Sequence, residues 1–85
     1  KILYTIVVIM QQFDLRDYIK LKRTKLGLKL NNFAFKNDID PSILSRLENK
    51  KFDLKYPVLE KIAKGFSMTP GEFLLEYENY IKNNQ

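Results

Sequence analysis

Residues 33 to 49 combine polar side chains suited to recognition with the turn signals that would hold them in place. Phe33 to Lys36 is typical of a short helix, and Asp38 and Ile39 follow as a tight turn. A second helix begins after Asp40, and its outer face carries almost no large apolar group. Two helices held at a steep angle by a turn of about three to four residues can place one of them in the DNA major groove.

Basic charge is concentrated in the first two thirds of the chain. The net charge is +5, of which residues 1 to 59 carry +6 and residues 60 to 85 carry −1. One tract has basic residues and no acidic one: Lys20, Lys22, Arg23, Lys25, Lys29 and Lys36. A one-sided basic surface suits a polyanion, because each neutralised phosphate releases condensed counterions. Charge alone fits a solvated lysine-rich surface equally well.

Composition excludes several kinds of site. The chain has no cysteine, which excludes disulfides and thiolate zinc sites. It has no histidine, which is the usual general base and the commonest transition-metal ligand. No activated nucleophile can be identified, so we expect no enzyme activity, no metal and no cofactor. The 85 residues allow one small domain, and 45% apolar residues suffice for its core.

The N-terminal segment, residues 1 to 9, is apolar, nearly uncharged and rich in β-branched residues. It is too short to span a bilayer, and no small-residue cleavage site of a secretory signal follows it. Its propensity is that of a strand. Two interpretations stay open: a strand that pairs with its copy in a second subunit, or a non-native leader ahead of a natural start at Met10. We favour the ordered strand.

The rest of the chain predicts an all-α domain of five short helices over residues 10 to 80, with residues 81 to 85 as a frayed tail. Asp14 and Asp17 have the spacing of a capping box, and Gly27 ends the first helix. The second helix is predicted at 30–36, and Asp40 caps the third. The fourth begins at Pro57 and closes at Gly65, and the fifth opens with a capping box at residues 69 to 72.

Residues 15 to 75 resemble the Cro/phage-repressor type of helix-turn-helix domain, the XRE family. In that family Gly27-Leu28 would separate the first two helices. The string at the family's recognition helix is similar to residues 44 to 49, Leu-Ser-Arg-Leu-Glu-Asn. The matching inner positions are apolar or alanine: Phe33, Ala34, Ile39, Leu44 and Leu47. The resemblance implies a five-helix, phage-repressor-like fold, with or without the N-terminal β-strand.

The resemblance also assigns roles to individual residues. Arg23 and Glu48 correspond to an ion pair that orients the third helix. The base-reading positions of the recognition helix, about residues 41 to 49, would be Ser42, Ile43, Ser45 and Arg46. Of these, Arg46 suits a bidentate guanine contact or a contact with a nearby phosphate, and Ile43 either meets a thymine methyl or is buried. The DNA backbone would be held by Lys29, Asn31, Asn49, Lys50 and Lys51.

Four positions depart from the family's pattern. Asp38 replaces the usual turn glycine, although aspartate tolerates a left-handed backbone better than most residues. Leu30 stands where a polar residue often binds phosphate. Pro41 offers no donor at a position that commonly reads a base, and Asp40 brings negative charge close to the duplex. Low specificity, or loss of DNA binding, is therefore an open expectation.

The leading hypothesis is a sequence-specific DNA-binding transcriptional regulator of repressor-like type, bacterial or from a phage. It would be cytoplasmic and nucleoid-associated, away from membranes, and would bind a two-fold operator in double-stranded DNA as a homodimer. The alternative is a protein-interaction module, or an antitoxin-like partner protein, that keeps the fold with weak or no DNA binding. In that case the apolar N-terminus and the aromatic last helix would serve a protein partner.

Overall fold

The computed structural model describes residues 13 to 84, which form five α-helices and no strand. In chain order these are α1 (Leu15–Lys25), α2 (Leu30–Lys36), α3 (Pro41–Glu48), α4 (Tyr56–Gly65) and α5 (Pro70–Asn83). The all-α, five-helix prediction is confirmed for these residues. The predicted strand at residues 1 to 9 lies outside them. No helix in the described range is long and apolar enough to cross a membrane.

Side-chain caps fix where three of the helices begin. Asp14 and Asp17 form a complete capping box at the start of α1, as predicted. Asp40 caps α3 by accepting the backbone N–H of Ser42 at 2.8 Å, with a proline in the first turn. Thr69 and its partner three residues on form a second complete box at α5. These caps satisfy N–H groups that no helix can bond internally.

Four helices end with the same backbone geometry. In each, the second residue after the end of the helix has a left-handed conformation with positive φ. These residues are Gly27 (φ 71), Asp38 (φ 58), Lys50 (φ 61) and Ser67 (φ 61). The following N–H groups each bond to a carbonyl five residues earlier, as from Ile39 to Ala34 at 2.8 Å. This is the Schellman arrangement, which usually carries glycine at the left-handed position. Here glycine fills only the first.

The core is one cluster to which all five helices contribute. Its buried members are Tyr18, Ile19, Phe33, Ala34, Ile39, Leu44, Leu47, Leu59, Ile62, Ala63 and Phe73. Aromatic rings join α1 to α5, since Tyr18 packs against Phe73 and Tyr80 with centroids 5.8 and 5.1 Å apart. This burial supplies the driving force that short helices lack on their own.

Element boundaries differ from the sequence expectation in two places. Helix α4 begins at Tyr56, one residue before the proline expected to open it. The same helix ends at Gly65 as predicted, and the left-handed residue that follows it is Ser67. Helix α5 continues to Asn83, so residues 81 to 83, predicted to belong to the tail, are helical.

Candidate nucleic-acid interface

The inner faces of α2 and α3 determine how α3 is presented. Phe33 and Ala34 on α2 are buried, and Ala34 has no exposed surface. Leu44 and Leu47 on α3 are equally enclosed, and Ile39 in the turn is buried with them. The small side chain of Ala34 lets the two helices approach closely. All five inner-face positions predicted from the sequence therefore lie in the core.

Arg23 and Glu48 join α1 to α3 inside the protein. Two hydrogen bonds connect them, from Arg23 Nε to Glu48 Oε2 at 2.7 Å and from Nη2 to Oε1 at 2.9 Å. Arg23 Nη1 also donates to the carbonyl of Leu28. The side chains are 8% and 1% exposed, so neither charge reaches the surface. This bidentate, buried pairing links α1 to α3.

Three polar residues, Ser42, Arg46 and Asn49, are exposed along the outer face of α3, and Ser45 and Ile43 beside them are half-buried. Their spacing puts them on one side of the helix. Two of the side chains already have partners inside the protein. The Ser42 hydroxyl donates to Asp40 Oδ1 at 2.8 Å, and Asn49 Nδ2 donates to the Ser45 carbonyl at 2.8 Å.

The charge of Asp40 lies at the start of this same face. The hydrogen bond from the Ser42 hydroxyl lowers the pKa of the Asp40 carboxyl, with help from the Ser42 backbone N–H. The carboxylate is thus kept ionised and engaged in capping, where the helix dipole favours it. Its negative charge opposes phosphate, and Pro41 next to it adds no donor. Arg46 is the cation on the outer face of α3.

Candidate backbone contacts divide into two groups. Lys29, Asn31, Asn49 and Lys51 are exposed, and Lys29 directly precedes α2. Lys50 is half-buried, and its Nζ donates to Asp17 Oδ2 at 3.1 Å, which ties the end of α3 to the start of α1. Lys50 therefore has a role within the fold. The exposed group is better placed for phosphate.

Two departures from the family pattern have local explanations. Asp38 adopts the left-handed turn with φ 58, and Lys61 Nζ donates to its carbonyl at 2.9 Å. Leu30, at the position where a polar residue often holds phosphate, is half-buried and packs against the core. The turn keeps its geometry without glycine, whereas the polar contact at position 30 is replaced by an apolar one.

Arg46 has a neighbour that sequence patterns do not reveal. Its guanidinium carbon lies 5.5 Å from the centroid of the Phe52 ring. The backbone carbonyl of Phe52 accepts a hydrogen bond from Arg16 Nη1 at 2.9 Å. This bond joins positions 36 apart in the chain, so no local spacing predicts it.

In the comparison with protein families, residues 19 to 73 match the model described as helix-turn-helix. The matched range begins inside α1, includes α2, the turn, α3 and α4, and ends in the first part of α5. Neither the comparison with curated proteins nor the comparison with solved structures gives a significant match.

Proposed function

Because the chain belongs to the Cro/phage-repressor-type helix-turn-helix family, the XRE family, we propose that it is a sequence-specific, repressor-like transcriptional regulator. Helix α3 lies in the major groove in this proposal, with its outer face against the base edges. The observation that carries it is the position of Arg46, exposed on the outer face of a helix whose inner face and orientation are fixed by the core.

Direct base reading would depend on few side chains. Arg46 can make a bidentate contact with guanine, and Ser45 can reach a neighbouring base. Ser42 contributes only when its hydroxyl exchanges the bond to Asp40 for one to DNA. Lys29, Asn31 and Lys51 would position the protein on phosphates without reading sequence. We therefore expect modest discrimination between sites, concentrated at the base pair opposite Arg46.

A homodimer would provide the second half-site. Leu74 and Leu75 are exposed on α5, at 37% and 58% of their surface. Glu78 and Lys82 are also exposed and lie one helical turn apart. In an isologous, antiparallel pairing of two α5 helices, Glu78 of one copy can face Lys82 of the other. Symmetric half-sites would then be spaced by about 34–36 Å.

Selection of bound duplexes from a random pool tests binding, half-site sequence and symmetry together. We expect an enriched two-fold motif and an affinity that falls steeply with salt. The matched comparison is Arg46→Ala against Lys64→Ala, an exposed lysine on another helix, α4. Only the first should flatten the motif. Absence of duplex affinity in about 50 mM salt contradicts the proposal.

A protein-interaction module is the second candidate, and one observation favours it. Phe35 on α2 is 71% exposed, which leaves an aromatic ring available for contact with a partner. Sedimentation of the protein with and without residues 1 to 9 shows which part of the chain is responsible for any self-association. A halving of the mass on truncation assigns self-association to that segment, and an unchanged dimer assigns it to the described helices. A protein that is monomeric and binds no duplex favours the interaction module.

A further inference from the structure

The guanidinium of Arg46 lies over the ring of Phe52, with 5.5 Å between its central carbon and the ring centroid. Arg46 is the exposed cation of α3, and Phe52 belongs to the loop that follows that helix. Phe52 keeps 41% of its surface exposed, so burial in the core does not explain its position. The ring instead covers one side of the arginine head group.

The backbone of Phe52 is anchored by a residue 36 positions earlier in the chain. Arg16 Nη1 donates to the Phe52 carbonyl at 2.9 Å, while Nη2 of the same guanidinium donates to Asp14 Oδ2 at 2.7 Å. Asp14 is the N-cap of α1 and is fixed by its capping box. A second bond at the loop's start, from the backbone N–H of Lys51 to the Arg46 carbonyl at 2.7 Å, closes the turn. The loop is therefore tied to both α1 and α3.

An arginine in this setting differs from one that is free in solvent. A free side chain samples many rotamers and must become ordered when it meets a base. A guanidinium over an aromatic face is attracted by the ring's negative π surface and keeps its N–H donors at its edge. The donors then remain available for a planar, bidentate acceptor such as the O6 and N7 atoms of guanine.

We propose that Phe52 is a positioning residue for DNA reading, whose ring holds the Arg46 guanidinium in the orientation that contacts a guanine edge. Arg16 acts one step further back, because it holds the loop that carries the ring. This inference rests on the proposed function, since Arg46 must face a base. It adds a specificity determinant outside the recognition helix.

The test compares three substitutions of Phe52 with one matched control. Phe52→Tyr keeps an aromatic face, Phe52→Leu keeps apolar volume without the π surface, and Phe52→Ala removes both. Tyr56→Leu removes another exposed ring, 59% exposed at the start of α4, and serves as the control. Unfolding midpoints are measured first. If Phe52→Ala does not fold, the leucine variant carries the comparison.

The first measurement is made without DNA. In the wild-type protein and in Phe52→Tyr, the ring current should shift the side-chain δ protons of Arg46 upfield in the NMR spectrum. The shift should disappear in Phe52→Leu and persist in Tyr56→Leu. Unshifted Arg46 protons in the folded wild-type protein overturn the positioning role.

The second measurement uses the motif selected by the wild-type protein and a copy mutated at the base pair that Arg46→Ala ceases to distinguish. Phe52→Leu should lose about two- to fivefold of the discrimination between these duplexes, with its salt dependence unchanged. Phe52→Tyr and Tyr56→Leu should discriminate as the wild type does. Equal discrimination by Phe52→Leu and wild type overturns this inference alone, whereas a wild type without duplex affinity overturns the proposed function as well.

Discussion

The side chain of Asn37, at the end of α2, lies against the Cα of Gly65, at the end of α4. A Cβ atom built on Gly65 would be 2.6 Å from Asn37 Nδ2 and 2.8 Å from Phe33 Cζ. Asn37 is fixed there because its amide donates to the Phe33 carbonyl at 2.7 Å. The motif helices and the second half of the domain thus meet at a point with no room for a side chain.

Gly65→Ala should lower the free energy of unfolding by about 1–3 kcal/mol, because the added methyl group displaces a buried ring and a bonded amide. Gly71→Ala is the matched control, since nothing lies within 4 Å of a Cβ at that helical position. It should raise stability by about 0.5 kcal/mol through helix propensity. Urea denaturation of both variants measures the difference. If both substitutions change the free energy of unfolding equally, the Asn37 side chain moves aside from residue 65 without destabilising the fold.

Local signals in the sequence are sufficient for the elements of this fold. The capping residues Asp14, Asp40 and Thr69 and the apolar spacing predict where helices begin and which faces are buried. Gly65 shows where such signals fail. Its place at a helix end does not reveal that the structure requires a small residue there because two helices touch.

The candidate site also combines features that local sequence predicts with contacts that it does not. The outer face of α3 is predictable from helical periodicity, because exposed positions recur along one side. The pairing of Lys50 with Asp17 joins residues 33 apart, and the bond from Arg16 to the Phe52 carbonyl joins residues 36 apart. Both contacts depend on how the end of α3 packs against the start of α1. Neither segment's own sequence predicts that packing.

Ser67→Gly should stabilise the protein by roughly 0.5–1 kcal/mol. Ser67 has φ 61, a conformation that costs a side chain with a Cβ more than glycine. Lys50→Gly relieves the same strain at φ 61 but loses the ion pair with Asp17, so its net effect should be near zero. Thermal and urea unfolding of the two variants give the comparison. A Lys50→Gly gain as large as that of Ser67→Gly would mean that the ion pair contributes nothing.

Glu48→Leu should destabilise the fold by about 3–5 kcal/mol, because it leaves the Arg23 guanidinium charged and buried without its partner. Arg23→Met combined with Glu48→Leu removes both charges and should be less destabilised than Glu48→Leu alone. A double-mutant cycle on the free energy of unfolding measures this coupling. Additive effects would contradict the importance of the buried pair.

Acid stability should depend on Glu76. Burial raises the pKa of this carboxyl, but hydrogen bonds from Lys22 Nζ and the Tyr18 hydroxyl outweigh it, so the net pKa lies below its usual value of 4.5. A lowered folded pKa contributes stability that is present above the unfolded pKa and lost as pH falls through the folded value. Glu76→Gln should therefore lose stability near neutral pH and show a shallower decline below about pH 4.5. Urea midpoints between about pH 3 and pH 7 test this; parallel declines for the variant and wild type would contradict it.

The lysines around α3 should differ in how they affect DNA affinity. Lys29→Ala and Lys51→Ala each remove an exposed ammonium beside the motif, and each should reduce the slope of log K against log salt by about 1 without changing base preference. Lys50→Ala should act mainly on stability, because its ammonium bonds to Asp17 at 3.1 Å.

Lys64→Ala on α4 is the charge-matched control and should leave the slope of log K against log salt unchanged. Titrations of one selected duplex at several salt concentrations separate these effects. A full unit of slope lost in Lys50→Ala, with stability unaffected, would place that lysine on phosphate instead of on α1.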